Sequence, residues 1–514
     1  MRQHKDDCEI GPLSPVQRRN TAYQVRENAA LSNFRKDPLL EENCNQDECH
    51  YPNKIGNFSK GLPHNDLGVV DQGAYESLNQ ALNSGNRDDL ENIPLAGPAK
   101  LVNPQAAYAY SLVGRDSHQY DIPAPPSINS AGIASEMAEV YWRAITRDVS
   151  FNDYESNKLI RLAAEDLSSF SEYNGPKEDG QVTPDTIFRG NSEGDLLGPL
   201  ISQFLWKSIP YGSNRITQKN RTTIADHNFM TTYNEWLHIQ NGGTPTEPSN
   251  YDKKSRFIRN GRDLAEWVHR DFSFQSFLNA CLILIGFGRD AIDPNNPYLH
   301  SKTQIGFATF GEPQVLDLVT SSANIALEAA WFQKWIVHRR LRPEAYGGLV
   351  HNYLTNKLKA PVHQELLNSK SLKIIDKEYD TFLLPMAFPE GSPLHPAYPA
   401  GHATIAGACV TILKAFFNEN FQIPDPVISS SDGLSLKRYK GATLTIGGEL
   451  NKLASNIALG RDFAGVHWRS DGIEGIKLGE KVAISILKDH RHSFNEDFKG
   501  FTLTKFNGKT ITIS

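Results

Sequence analysis

Sulfur is scarce in this chain, with five cysteines and four methionines in 514 residues. An odd and sparse set of thiols argues against a disulfide scaffold. The close pair Cys44 and Cys49 has no further ligands at metal spacing, which makes it a weak zinc signal. Cys281 and Cys409 fall in apolar helical patterns and are expected to be inert core residues. Cys8, Cys44 and Cys49 lie in a polar N-terminal stretch, where a thiol bridging two chains is most readily placed. Long apolar runs are also missing: none is long enough to cross a bilayer, and the segment from Met1 to Cys8 has no apolar signal region. A soluble protein is expected, cytoplasmic or released by a route the sequence does not reveal, with no membrane partner. Nor is there an excess of positive charge, since 53 Lys and Arg stand against 59 Asp and Glu for a net charge of -6. Nucleic acid is therefore not an expected partner, and any basic cluster belongs to a local site. No internal repeat of about 20 to 50 residues is present. What the chain does have is 39% hydrophobic residues, enough to fill a large core at this length.

Residues 1–100 are rich in Asn, Asp, Gly and Pro with weak periodicity, and read as an extended arm. From Gly132 the pattern turns helical: Ala134, Met137, Ala138, Val140, Tyr141 and Ala144 recur at helix spacing behind the capping residues Ser127, Asn129 and Ser130. A strongly apolar stretch runs from Asp263 to Phe287. Val315, Leu318, Val319, Ser322, Ile325, Ala326, Ala329, Phe332 and Ile336 mark one face of a long helix that delivers Lys334 and is stopped by Pro343. Further helices are predicted over 404–417, 450–459 and 472–487. The alternating residues of 501–513, turning at Asn507-Gly508, predict a β-hairpin. The expected organisation is an arm over 1–100, a first helical bundle half over 101–310, a catalytic bundle over 311–490 and a hairpin over 491–514, in a mainly α fold.

Three stretches carry chemistry: Lys334 to Arg342-Pro343; His395-Pro396-Ala397-Tyr398-Pro399-Ala400-Gly401-His402; and Arg461 to His467, with Asp471 beyond. Lys334 and Arg342 bracket a helix end, Gly401 and His402 open a new helix whose free N–H groups attract anions, and Arg461 closes another. Convergent Lys and Arg donors are what a tetrahedral oxyanion needs once it leaves water. Gly401 lets a backbone N–H approach an oxygen closely. His467 and Asp471 are four apart, so on a helix they share a face, and the carboxylate would fix the imidazole tautomer. Each feature alone has a plainer reading. His402 is a candidate helix cap, Trp331 a core residue, Asp471 a cap of its own helix, and His395 a loop residue. The run His338-Arg339-Arg340 reads as a solvated face or a subunit salt-bridge patch, outside the site.

Together the blocks resemble the vanadium-dependent haloperoxidases, relatives of the type 2 phosphatidic acid phosphatases: Lys…Arg-Pro, Pro-Ser-Gly-His, and Arg-x3-Gly-x-His-x3-Asp occur here in order. The likeness covers roughly 103–487 and includes Tyr120-Asp121-Ile122-Pro123 and Phe188-Arg189-Gly190-Asn191-Ser192-Glu193-Gly194. Arg342 stands eight residues after Lys334 and His395 seven before His402, as in algal bromoperoxidases; chloroperoxidases tend to carry Phe at the position of His395. The resemblance implies two four-helix bundles with the pocket in the second, and vanadate as cofactor. His467 would bond vanadium, and Lys334, Arg342, Gly401 and Arg461 would hold its oxygens. His402 would face the apical oxygen, Lys334 would polarise bound peroxide, and His395 would shuttle protons. It further implies hydrogen peroxide, bromide or iodide, an organic nucleophile as halogen acceptor, and a homo-oligomer, dimer or larger. Trp331 and Gln333 are candidates to face the halide. A phosphatase with His467 as nucleophile is the alternative, since phosphate and vanadate are near-isosteric. Two positions depart from the pattern: Ala400 replaces the serine before Gly-His, and Gly460 the serine often found before the third-block arginine. Some relatives bind calcium, but the Asp293-Pro294-Asn295-Asn296 loop is equally well read as turn chemistry.

Overall fold

A computed structural model describes residues 11–36 and 43–514; Cys8 lies outside them. Helices dominate, and the only regular strands among these residues form small antiparallel pairs: Ile209–Tyr211 (β1) with Asn214–Ile216 (β2), Val427–Ser429 (β3) with Leu436–Arg438 (β4), and Phe501–Thr504 (β5) with Thr510–Ile513 (β6). The last is the hairpin expected at Asn507-Gly508, with Phe501 opposite Ile513 and Thr504 opposite Thr510.

Ala131–Ile145 (α1) starts where Ser130 accepts the Ile133 N–H at 3.2 Å, and almost all of it is buried. The apolar stretch from Asp263 to Phe287 is two helices, Gly261–Arg270 (α2) and Gln275–Gly286 (α3). Asp271 takes an extended conformation between them (ψ 149°), which no continuous helix tolerates. Glu312–Phe332 (α4) continues into a π-helical turn, Gln333–His338. Arg342 then caps Pro343–Leu354 (α5), with Pro343 in its first turn, where a missing N–H costs nothing. Gly401–Phe416 (α6) starts before the predicted span and stops one residue short of its end, whereas Ile446–Phe463 (α7) and Arg469–Arg491 (α8) extend beyond theirs at both ends.

Helices α4, α6, α7 and α8 pack on one another as a bundle, with α6 at the centre against α8 and α4, and α7 also lying on α2. The α6–α8 crossing is very close. A methyl group on Gly407 would overlap the Ile476 carbonyl oxygen, and one on Gly479 would overlap that of Thr404. Backbone therefore meets backbone, which only glycine allows. The N-terminal segment is more ordered than its composition suggests: Phe58, Leu62, Tyr75, Leu78 and Leu82 form a second apolar cluster with Trp331 and Trp335. The helix Pro15–Lys36 is exposed throughout residues 15–24 and touches this body further along, where Asn33 donates to the Gly114 carbonyl at 3.0 Å. No described helix is long and apolar enough to cross a membrane.

Candidate active site

A cavity of about 400 Å³ opens between the N-terminus of α6 and the C-terminal ends of α2 and α7. Trp331, His395, Gly401, His402, Arg461 and His467 line it, so the second and third sequence blocks meet there. Lys334 and Arg342 lie buried behind them. The Lys334 ammonium donates to the Pro396 and Ala397 carbonyls, both at 2.7 Å, and so pins the loop that leads into Gly401. Arg342 reaches further, donating from Nε to the His395 carbonyl at 3.0 Å and from one terminal nitrogen to the Val466 carbonyl at 2.8 Å. The same nitrogen lies 2.9 Å from His467 Nε2, and the other 3.0 Å from His395 Nδ1. Arg461 spends one nitrogen on the Val268 carbonyl at 2.7 Å, while its Nε is buried without a hydrogen-bond partner.

His467 precedes α8 rather than lying on it. Its Nδ1 sits 2.8 Å from Asp471 Oδ2, which also accepts the Trp468 N–H at 3.1 Å. Asp471 thus both caps α8 and orients the imidazole. Because the carboxylate accepts from Nδ1 and the guanidinium of Arg342 can only donate, the Nε2 lone pair is the one turned toward the cations. Burial first, and then Arg342, hold both His467 and His395 well below the usual histidine range, so both rings are neutral. Burial, followed by Arg342, likewise depresses Lys334 far below an ordinary lysine, and burial brings Arg342 down to about 9. Groups strained in this way toward losing positive charge are relieved by an anion.

Similarity to known proteins agrees with this geometry. Residues 315–496 match the family model described as the VCPO second helical-bundle domain. A vanadium-dependent bromoperoxidase of Ascophyllum nodosum is 37% identical over 482 residues, spanning 89% of this chain and 86% of that protein. One from Corallina officinalis is 36% identical over 550 residues, spanning 90% and 91%. The homohexameric structure of the second vanadate-dependent bromoperoxidase of Ascophyllum nodosum superposes with a TM-score of 0.93 at 32% identity, covering 98% of this chain and 91% of that one. The chain belongs to the vanadium-dependent bromoperoxidases.

Trp331 packs against His395 with ring centroids 4.8 Å apart and faces the cavity. Gln333 does not reach it, since its amide donates to the Tyr120 carbonyl at 2.8 Å on another side of the helix. Ala400 sits just behind the lining, its N–H donating to the Asp471 carbonyl at 2.9 Å, and it caps α6 with no side-chain hydrogen bond. Gly460 is where α7 meets α2, because a methyl there would stand 3.1 Å from Leu264 and Val268. The basic run is not a solvated face. His338 and Arg340 are buried, and Arg340 donates to Asp471 Oδ1 at 2.7 Å, Ser470 at 2.8 Å and Glu136 at 2.9 Å, making it the anchor of the His467–Asp471 pair. Asp271 is a further participant that sequence reasoning missed: its Oδ1 lies 3.0 Å from His402 Nε2. No local spacing links residues 131 apart, and the only hint is the acidic break between α2 and α3. Cys44, Cys49, Cys281 and Cys409 are free thiols, the last two buried. No cluster of three potential metal-ligating side chains occurs among the described residues, and the Asp293 loop is a turn in which Asp293 accepts the Asn295 N–H at 2.8 Å.

Proposed function

We propose that this chain oxidises bromide, and iodide, with hydrogen peroxide to hypohalous acid, which then halogenates organic acceptors, and that vanadate is the cofactor. The observation that carries the proposal is the convergence of Lys334, Arg342 and Arg461 on the Nε2 side of His467. The residues fit a tetrahedral oxyanion: Arg461 Nε is a buried donor without a partner, and the first N–H groups of α6 at Gly401 point their dipoles to the same place. His467 would ligate the metal through Nε2, with Lys334, Arg342, Gly401 and Arg461 neutralising the oxygens. Bound vanadate supplies a Lewis acid that activates peroxide toward halide without changing its own oxidation state.

The chain's own residues do the rest. Asp471 keeps the proton on His467 Nδ1. Lys334, with two of its protons fixed on backbone carbonyls, keeps the third for an oxygen in the site. His395 is neutral, its Nδ1 lying 3.0 Å from an Arg342 nitrogen and 3.1 Å from the Pro396 carbonyl, and its ring stands at the cavity for proton exchange, while His402, held by Asp271, stands on the solvent side. Trp331 closes one wall against water. The division into halves near residue 310 belongs to the same proposal, supported by the family match beginning at residue 315. We further infer a homo-oligomer, supported by the homohexameric relative and by the exposure of residues 15–24 of the Pro15–Lys36 helix.

The test is bromination of a reporter dione by chelator-stripped protein in phosphate-free buffer, with and without orthovanadate, beside hydrolysis of an aryl phosphate. Vanadate-dependent bromination that phosphate suppresses is expected. Aryl phosphate hydrolysis inhibited by vanadate, with no bromination, would instead select the phosphatase alternative.

A further inference from the structure

A second cleft, of about 580 Å³, lies on the far side of the last turn of α2 from the catalytic cavity. Asp271, the partner of His402, is among the residues that line both. Lys219, Arg221, Tyr251, Trp267 and Arg270 make up the rest of the wall that matters here. The size is that of a small-molecule site.

Its charge is unbalanced. Glu266 is the other carboxylate in the wall, and it is already engaged: it accepts the Tyr251 hydroxyl at 2.8 Å and Arg270 at 3.2 Å through one oxygen, and its other oxygen lies 3.2 Å from His269. Asp271 is engaged with His402. Lys219 and Arg221 have no carboxylate partner among the described residues; each lies over a ring instead, Lys219 5.3 Å from the centre of Phe257 and Arg221 3.8 Å from that of Tyr251. Stacking on Tyr251 holds the guanidinium flat and leaves its N–H edge for an anion. Tyr251 and the largely buried Trp267 are the aromatic residues of this wall.

We propose that this cleft binds the organic halogen acceptor and selects small aromatic compounds carrying an anionic group, such as hydroxybenzoates. The inference rests on the haloperoxidase reading above. Lys219 and Arg221 hold the carboxylate, and the ring lies toward Asp271, the residue this cleft shares with the catalytic cavity, to meet hypobromous acid released from that cavity. There a ring carbon forms a bond to bromine as the HO–Br bond breaks. The ring gives up an electron pair to bromine, which is reduced from its +1 state as the ring is oxidised, and hydroxide departs with the displaced ring proton as water.

The experiment pairs 4-hydroxybenzoate with its methyl ester in one competition bromination, catalysed by the vanadate-loaded enzyme or effected by reagent hypobromous acid. The enzyme is expected to favour the carboxylate over the ester by about tenfold more than the free reagent does, as one charge-assisted pair gives. In the double variant Lys219→Gln, Arg221→Gln that excess disappears, while bromide-dependent peroxide consumption is unchanged. An enzyme ratio equal to the reagent's, or a ratio that survives in the variant, overturns the proposal. A halide-free arm keeps it separate from the reading it rests on: equilibrium dialysis should show 4-hydroxybenzoate bound by the wild type and not by the variant. Absence of binding overturns the cleft whether or not the protein brominates.

Discussion

At the scale of single residues, Ala400 is the departure with the clearest consequence. A hydroxyl at this position faces two uses, an oxygen of the bound anion or the free N–H groups of α6. Ala400→Ser is expected to tighten vanadate binding by about tenfold or more, since a hydrogen bond to a charged group contributes about 1.5–3 kcal/mol. Titration with vanadate measures this, and equal or weaker affinity refutes it. A higher melting temperature with unchanged affinity would mean that the serine caps α6 instead, worth about 1 kcal/mol. Arg340 gives a second prediction. Arg340→Gln leaves the buried carboxylates of Asp471 and Glu136 without their cation and should cost about 3–5 kcal/mol by denaturant unfolding, with vanadate affinity falling as His467 loses its anchored partner; Arg340→Lys should recover part of both. The two residues also mark what the sequence makes legible. Ala400 is conspicuous because it interrupts a local motif, and the cations and histidines of the site are found by their fixed spacing. Arg340 and Asp271 are hidden because their partners are 131 residues away in each case, and a buried arginine looks like a solvated one until its carboxylate is located. Gln333 misleads for a simpler reason: two residues past Trp331, it stands some 200° around the helix from it.

Among elements, the contact of α6 with α8 governs the site, because Gly401 and His402 open one and Asp471 lies in the first turn of the other. Gly479→Ala is expected to destabilise the protein by about 1–3 kcal/mol, the usual cost of overpacking, and to reduce vanadate affinity as the two helix starts separate; unchanged unfolding and affinity would show that the crossing tolerates a side chain. A second tie joins α1 to α8. Glu139 accepts Arg469 at 2.6 and 2.7 Å and Arg143 at 2.7 Å. Burial opposes its ionisation, but the two guanidinium groups prevail and hold its pKa at about 2, below the ordinary 4.5. The stabilisation is therefore complete above the ordinary value and lost as pH falls through about 2. Thermal unfolding followed between about pH 5 and pH 2 should steepen in that window, and Glu139→Gln should flatten it. Helices with a clear apolar face were legible from periodicity. The break at Asp271 was not, because continuous hydrophobicity runs across it and only the extended conformation of one residue divides α2 from α3.

For the whole molecule, the bundle supplies the pocket and the N-terminal segment adds a layer outside it. The Phe58 and Tyr75 cluster packs on Trp331 and Trp335, so this segment supports the wall of the catalytic cavity from behind. The Pro15–Lys36 helix is different: Asn33 ties its C-terminal part to the body by donating to the Gly114 carbonyl at 3.0 Å, while residues 15–24 are exposed and lack the packing from which a helix draws most of its stability. Removing residues 1–43 is expected to lower the assembly state in sedimentation while leaving bromination per subunit largely intact; an unchanged sedimentation coefficient per mass would exclude the helix from the interface. The backbone contact at Gly407 and Gly479 has a mechanical meaning as well. Where two helices meet through side chains, hydrostatic pressure or a rotamer change lets the joint yield by degrees. Here no soft layer lies between them, so the anion-holding halves act as one stiff body, and compression should leave the pocket intact until the bundle fails as a whole.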